Sequence, residues 1–312
     1  MKQLRIGIGL GELAADGAGG IESTLEQFRR AEEAGFQTAW MPNIFSLDAL
    51  SALALAGTRT SRIELGTAVV PTYTRHPLYM AQQALTTQLA CGGRLALGLG
   101  PSHKIVIEDM LGLSYARVAK HVEEYLTVVR SLVETGAVDF QGEVYRVKGT
   151  LRLPGARPMP ILIGGLGPRM RRLAGRLADG TITWMTGPRA LDRVLVPEIR
   201  AAAREAGRPA PRIVCGLPIV VTNDPAGARE AASKAFALYG HLPSYRAMLD
   251  LEGAAAPGDV AIAGDERAVE EDLGRLAQAG VTDLNAAIFP YGPEPKAAAR
   301  RTYELLAELA RR

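Results

Sequence analysis

The chain has 312 residues, carries 36 Lys and Arg against 33 Asp and Glu for a formal net charge of +3, and is 47% hydrophobic. So small a charge, with the arginines spread along the chain, excludes the basic stripe or tail with which nucleic-acid binders hold a phosphate backbone. Aromatic residues make up only 5%, so the core must come mainly from Ala, Leu, Val and Ile, which suits helices on a parallel sheet better than an aromatic-rich β-sandwich.

Strand and helix signals alternate along the chain. Leu4 to Leu10 reads as a first strand, followed by a helix from Ile21 to Ala34 with Ile21, Leu25, Phe28 and Ala31 at helical spacing. Thr38 to Met41 is the second strand and Ser46 to Gly57 its helix; Arg62 to Val70 and Pro77 to Ala90 form the third pair. Arg94 to Gly100 is the fourth strand, and Arg117 to Thr135 is a long helix with Val118, Val122, Tyr125, Val129 and Leu132 on one side. The second half supplies strands at Pro160 to Gly164, Gly180 to Met185, Arg212 to Val220 and Val281 to Phe289. Its helices are expected at Pro168 to Ala178, Leu191 to Ala206, Ala226 to Tyr239, Glu266 to Ala279 and Pro295 to Arg311. Gly35, Gly180 and Gly280 stand where three helices must stop and turn back into strands.

Eight strands with intervening helices favour a single (β/α)8 TIM barrel over residues 1–312 with no domain boundary, although an open doubly wound sheet would satisfy the same alternation. Three stretches fall outside it and read as insertions: Pro101 to Ala116 after strand four, Gly136 to Met159 before strand five, and His241 to Ala263 before the last strand. The middle one contains two strand-like runs, Val138 to Val147, and is expected to form a surface hairpin.

Cys91 and Cys215 lie far apart in apolar surroundings and read as buried small hydrophobes in a reducing compartment. His76, His103, His121 and His241 show no metal-ligand spacing, so no metal site is expected. His76 reads as a helix starter before Pro77, and His121 and His241 as structural or surface residues. Met1-Lys2-Gln3 leads directly into an apolar run too short for a membrane span and without a cleavage region. A cytoplasmic protein without a membrane partner is the expectation.

In a parallel barrel the loops after the strands carry the site. Gly98-Leu99-Gly100-Pro101-Ser102-His103 follows strand four and Gly164-Gly165-Leu166-Gly167-Pro168-Arg169 follows strand five. In the second, glycines permit close backbone approach and Pro168 suits the first position of a helix whose free N–H groups attract phosphate. Arg169, Arg171 and Arg172 crowd that first turn against the helix dipole, which a bound anion would offset; arginines pointing into water would also explain them. The Rossmann fingerprint, the Walker lysine, the G-x-S-x-G elbow and H-E-x-x-H are all missing, so the difficult chemistry would fall to a bound cofactor.

Leu65 to Pro71, Arg75-His76-Pro77 and Gly92 to Gly100 resemble the central signature of the luciferase-like family, and Ile161 to Gly165 through Leu177-Ala178-Asp179-Gly180 resembles its second signature. Ser102-His103, Glu108 to Tyr115 and Glu123 to Leu126 are most similar to the branch that uses the deazaflavin coenzyme F420. The resemblance implies a (β/α)8 barrel holding a flavin or deazaflavin at its strand C-termini. Trp40 to Asn43 (Pro42 included) and Thr67, Ala68, Val69 and Val70 would line the ring. Gly98, Gly100, Ser102 and His103 would border the ribityl and phosphate region, and Gly164, Gly165, Leu166, Gly167 and Arg169 would bind phosphate. It also implies a non-prolyl cis peptide at Ala68-Val69 and a homodimer.

One position departs from the pattern. Many deazaflavin-using relatives place an acid or histidine near the end of strand two, where this chain has Pro42-Asn43, and Asn43 cannot donate a proton at neutral pH. His103 is then the first candidate donor and Tyr73 the second, with His103 equally able to serve only as a hydrogen-bonding loop residue. Trp40 and Trp184 stand at strand ends, as cavity walls or as core; Lys104 and Arg75 would meet an acidic cofactor tail or simply face water.

The function implied is F420-dependent hydride transfer to or from a small-molecule substrate: C=C or C=N reduction, or alcohol or amine oxidation. An FMN-dependent monooxygenase and a non-catalytic cofactor-binding protein are the alternatives.

Overall fold

The computed structural model describes residues 4–14 and 19–312; Met1-Lys2-Gln3, read above as the lead into the first strand, lies outside them. Along the chain come β1 (Arg5–Gly9), α1 (Ile21–Ala34), β2 (Thr38–Met41), α2 (Ala49–Arg59), β3 (Glu64–Thr67), β4 (Val70–Pro71), α3 (Pro77–Ala90) and β5 (Leu95–Gly100). Then follow a π-helical segment (Ile105–Met110), α4 (Val118–Thr135), the pair β6 (Ala137–Gln141) and β7 (Arg146–Thr150), β8 (Ile161–Gly164), α5 (Pro168–Arg176) and β9 (Gly180–Trp184). The last third holds α6 (Pro188–Ala190), α7 (Val196–Glu205), β10 (Arg212–Val221), α8 (Pro225–Ala235), α9 (Ala237–His241), α10 (Pro243–Glu252), β11 (Ile262–Gly264), α11 (Glu266–Gln278), β12 (Asp283–Ile288) and α12 (Pro295–Arg311).

The described residues close a parallel barrel in the order β1, β2, β3, β5, β8, β9, β10, β12 and back to β1. Closure is made by β9 on β10 (Gly180 opposite Arg212) and by β12 on β1 (Asp283 opposite Arg5), so the open-sheet alternative is removed. All eight expected strands are present, but the third is interrupted: its end becomes β4, paired with β5 beyond a cis peptide at Ala68-Val69. The expected hairpin is also present as antiparallel β6–β7. The stretch from His241 to Ala263, read as an insertion, holds α10 and leads into β11, which lies outside the eight barrel strands and adds a parallel pairing to the C-terminal end of β10.

Period-two alternation explains how the barrel fills. Ile6, Ile8, Ala39, Met41, Leu65, Leu95, Leu97 and Leu99 point outward and join the apolar faces of the helices in one continuous core. Their alternates Trp40, Ala96, Leu162, Ile182 and Val214 form a separate cluster inside. Trp40 occupies the interior only because Gly66 has no side chain: a Cβ there would stand 2.3 Å from ring atoms Cε3 and Cζ3.

The N-terminal end of the barrel is plugged by charge. Asp283 Oδ1 accepts from Arg212 Nη2 at 2.7 Å and from Arg5 Nη1 at 3.0 Å, and Arg212 also reaches Glu64 at 2.5 Å. The Arg212 guanidinium lies 5.5 Å from the Trp40 ring centroid, joining the plug to the apolar interior. The barrel interior is thus filled by charge at that end, and the strand C-termini are where a parallel barrel binds its ligand.

Gly35 and Gly280 take positive φ (95° and 91°), as the expected helix stops require. Cys91 and Cys215 are buried and free. Among the described residues no helix is long and apolar enough to cross a membrane, and no cluster of three or more His, Cys, Asp or Glu has a metal-binding arrangement.

Candidate active site

The β2, β3 and β5 ends are knitted together around the cis peptide. Ala68 N donates to Met41 O at 2.8 Å and Asn43 N donates to Val69 O at 3.3 Å. Pro42 is buried beside them. The Thr67 hydroxyl is committed to Gly98, donating to its carbonyl and accepting from its N–H, both at 2.8 Å. Thr67 is therefore a fastening between strands, whereas Ala68 and Val69 are half-buried at the mouth. A Cβ on Gly100 or Gly164 would meet the Val69 side chain at 2.6 and 3.3 Å, which accounts for glycine at both strand ends. The Asn43 side-chain oxygen accepts from Ala49 N at 3.0 Å beside the Asp48 cap of α2, which orients the amide and leaves its Nδ2 donors and one lone pair for a ligand.

After β5 the chain passes through Ser102 at φ 60°, whose carbonyl accepts from Tyr115 Oη at 2.7 Å. The His103 carbonyl accepts from Val106 N and Ile107 N at 3.0 Å, and its ring lies 5.8 Å from that of Tyr245. Burial pushes the His103 imidazole below its ordinary value, so it is neutral at pH 7. Lys104 is exposed and 3.5 Å from Glu108. Arg75 is ion-paired with Asp48, and His76 accepts from Leu78 N at 3.3 Å as the cap of α3.

The loop after β8 runs through Gly165 and Leu166 to Gly167, the N-cap of α5, with no side-chain cap and with Pro168 following. Its first N–H groups are thus open to a ligand. The crowding of arginines has an answer within the chain. Arg171 is buried, donates to the Leu166 carbonyl and meets Glu198 of α7 through Nε at 2.7 Å and Nη2 at 3.2 Å. Only Arg169 and Arg172 are left exposed on the turn. An open groove of ≈ 500 Å³ lies beside this turn, bounded by Gly167, Pro168 and Arg171 on one side and by Ser244, Ala247 and Met248 of α10 on the other.

Trp184 at the end of β9 meets Phe236 and Tyr239 edge-on at 5.7 and 6.1 Å, so the α8–α9 junction closes over it. Sequence reasoning missed this cover because residues 236–245 have no strong apolar period. His121, read as a structural or surface residue, is buried. Its spacing from Val118, Val122 and Tyr125 marks the core face of α4.

Seven buried polar atoms have no partner among the described residues; Glu12 Oε2, Tyr73 Oη, Arg75 Nη1, Trp184 Nε1 and Asn285 Oδ1 lie on loops after strands or inside the barrel, and Thr24 Oγ1 and Gln27 Nε2 on α1. Leaving such a group unpaired costs about 1–3 kcal/mol, so those on the strand side are candidates to meet a polar ligand. A glycine-lined mouth, an uncapped helix start beside a groove, and unpaired buried donors (Tyr73 Oη, Trp184 Nε1) and acceptors (Glu12 Oε2, Asn285 Oδ1) fit a planar, phosphate-bearing cofactor.

Comparison with known proteins agrees. A family model described as luciferase-like monooxygenase matches residues 8–311. A 5,10-methylenetetrahydromethanopterin reductase from Archaeoglobus fulgidus is 30% identical over 85% of this chain and 89% of its own length. A reductase of the same name from Methanopyrus kandleri is 32% identical over 57% of this chain, which spans only 56% of that relative's length. An F420-dependent glucose-6-phosphate dehydrogenase from Nakamurella multipartita is 37% identical over 50% of this chain and 48% of its own. Among solved structures, a coenzyme F420-dependent tetrahydromethanopterin reductase from Methanopyrus kandleri superposes with a TM-score of 0.80, covering 98% of each chain at 24% identity.

Proposed function

The chain belongs to the luciferase-like monooxygenase family, and on that premise we propose that it is a coenzyme F420-dependent oxidoreductase. It would move a hydride between the deazaflavin and a small organic substrate by C=C or C=N reduction, or by alcohol or amine oxidation. The observation that carries this reading is the nearly end-to-end likeness to a reductase, joined to a separate likeness to a dehydrogenase named for F420. When bound, the cofactor supplies the two-electron chemistry, which the side chains of the mouth do not supply themselves.

The chain's own work is binding, orientation and exclusion of water. Pro42, Asn43, Ala68 and Val69 would bear on the ring, with Thr67 fixing the strand behind them and Trp184 as a side wall. Gly98 and Gly100 leave room above β5, with Ser102 and His103 beside the ribityl chain. Gly164, Gly165, Leu166 and Gly167 would present amides to phosphate at the α5 start, with Arg169 nearby. His103, neutral by burial, is a weak source of protons at pH 7 and suits hydrogen bonding better than acid catalysis. A homodimer in the cytoplasm completes the proposal.

The test is an anaerobic assay in which enones, imines and ketones are offered with reduced F420. Acceptor-dependent oxidation of the ring without oxygen is the expected result. Turnover only with oxygen and reduced FMN, with oxygen entering the product, would replace this reading by the monooxygenase one.

A further inference from the structure

A cluster of five rings lies between the β4 loop and α4, drawn from parts of the chain far apart in sequence. Tyr73 stacks face to face on His121, with centroids 3.8 Å apart and planes 7° from parallel. Tyr115 lies against Tyr73 at 5.5 Å, and its own hydroxyl is occupied by the Ser102 carbonyl. Tyr125 and Tyr145 pack on His121 at 5.8 and 5.5 Å.

Both nitrogens of His121 are engaged. Nε2 is 2.9 Å from Thr72 Oγ1 and Nδ1 is 3.3 Å from Tyr145 Oη. Burial drives the imidazole down to about 4, against a smaller opposing pull from the Glu124 carboxylate. A neutral ring has one donor and one acceptor, and hydroxyls can answer either. The pair is therefore satisfied without charge, and His121 has nothing left to offer a ligand.

Its neighbours are themselves fixed. Thr72 N donates to Gly100 O at 2.9 Å, tying Thr72 and the His121 it holds to β5. The buried Glu124 accepts from the backbone N–H groups of Glu143, Val144 and Tyr145 at 2.8–2.9 Å, which anchors the β6–β7 turn and sets Tyr145 in place. The hairpin is thus a brace for the mouth.

All of this order is applied to Tyr73, whose hydroxyl is buried and unpaired. Burial, helped by the Glu108 carboxylate, raises its phenol to about 12, so at neutral pH it is an O–H donor. A donor held on its ring face by a fully satisfied histidine, with no acceptor of its own, is preorganised for a ligand acceptor.

We infer that Tyr73 is the hydrogen-bond donor to the substrate's acceptor atom, and that His121 is a positioning residue acting only through Tyr73. The inference rests on the hydride-transfer reading and narrows it. The substrate class becomes one with a carbonyl oxygen or imine nitrogen at or conjugated to the carbon that exchanges hydride, excluding isolated C=C bonds.

The test is a double-mutant cycle with F420 and a carbonyl or imine substrate. Tyr73→Phe is expected to lower kcat about 100-fold, the loss seen when one preorganised donor is removed. Deazaflavin affinity, read separately by fluorescence, should stay within about twofold of the wild type because the lost contact is to substrate. His121→Asn should lower kcat by a similar factor through misplacement of Tyr73. The double variant should be no worse than Tyr73→Phe alone. Losses that multiply in the double variant would overturn the positioning role, and an unchanged kcat in Tyr73→Phe would overturn the donor role.

A wild type that binds no deazaflavin would refute the proposed function separately. The coupling is then read in the free protein from the ring resonances of 13C-labelled tyrosine, with Tyr73 assigned by Tyr73→Phe. An upfield Tyr73 signal that moves in His121→Leu supports the stack; a signal indifferent to His121 overturns it.

Discussion

Gly66→Ala tests the packing on which the mouth rests. The new Cβ would stand 2.3 Å from Trp40 Cε3 and Cζ3 and 3.0 Å from Cδ2, where ordinary carbon contacts lie at about 3.5–4.0 Å. The indole must therefore retreat by about 1 Å. Trp40 is fully buried, with Nε1 donating to Thr38 Oγ1 at 2.9 Å and the Arg212 guanidinium 5.5 Å from the ring. Retreat means overpacking, about 1–3 kcal/mol, and weakening of the indole hydrogen bond, about 1 kcal/mol. Replacing glycine returns about 0.5–1 kcal/mol through the unfolded chain. The net expectation is a loss of about 1–3 kcal/mol, read as a lower urea midpoint with unchanged slope. Trp40→Phe in the same background should recover part of it. A Gly66→Ala protein as stable as the wild type would refute the account of how the barrel interior is filled.

Other expectations follow from the same geometry. Asp283→Asn removes the carboxylate that receives Arg212 and Arg5 at the sealed end, leaving Glu64 for two guanidiniums; a loss of about 3–5 kcal/mol in denaturant unfolding is expected. His121 gives a pH dependence. Its folded pKa of about 4 lies below the unfolded 6.5, so between these values the unfolded chain binds more protons. His121's share of stability is full above about pH 6.5 and falls by up to about 3 kcal/mol as pH drops towards 4. Urea midpoints at pH 4.5 and 7 should differ less in His121→Asn than in the wild type. Gly167→Asp should separate folding from binding, because a Cβ there meets nothing within 4 Å and Asp is a better N-cap than glycine by a few tenths of a kcal/mol. Tm should hold or rise while deazaflavin affinity falls at least about tenfold, since the carboxylate would take the N–H groups and repel phosphate. Unchanged affinity would remove the phosphate from the α5 start.

The barrel was legible because its signals are local: period-two strands, helical stripes and glycine stops such as Gly35 and Gly280. Even so, α10 and β11 escaped notice. The three residues of β11 carry too little pattern, and their place is set by pairing with β10, a contact more than 40 positions away in sequence. For the candidate site, the glycines after β5 and β8 were the local signal, and the structure places both at strand ends against Val69. The arginines beside Pro168 pointed to an anion by local electrostatics, yet Glu198, 27 residues beyond Arg171, already neutralises the buried member. Long-range partners of this kind, like those that give Tyr73 and His121 their order, have no signature in a single sequence.

Titration of the purified protein with F420 and, separately, with FMN, followed by cofactor fluorescence, decides which ring the barrel mouth holds. Saturable binding of F420 at micromolar or lower concentration, with FMN much weaker, is the predicted result. Preference for FMN, or binding of neither, would contradict it.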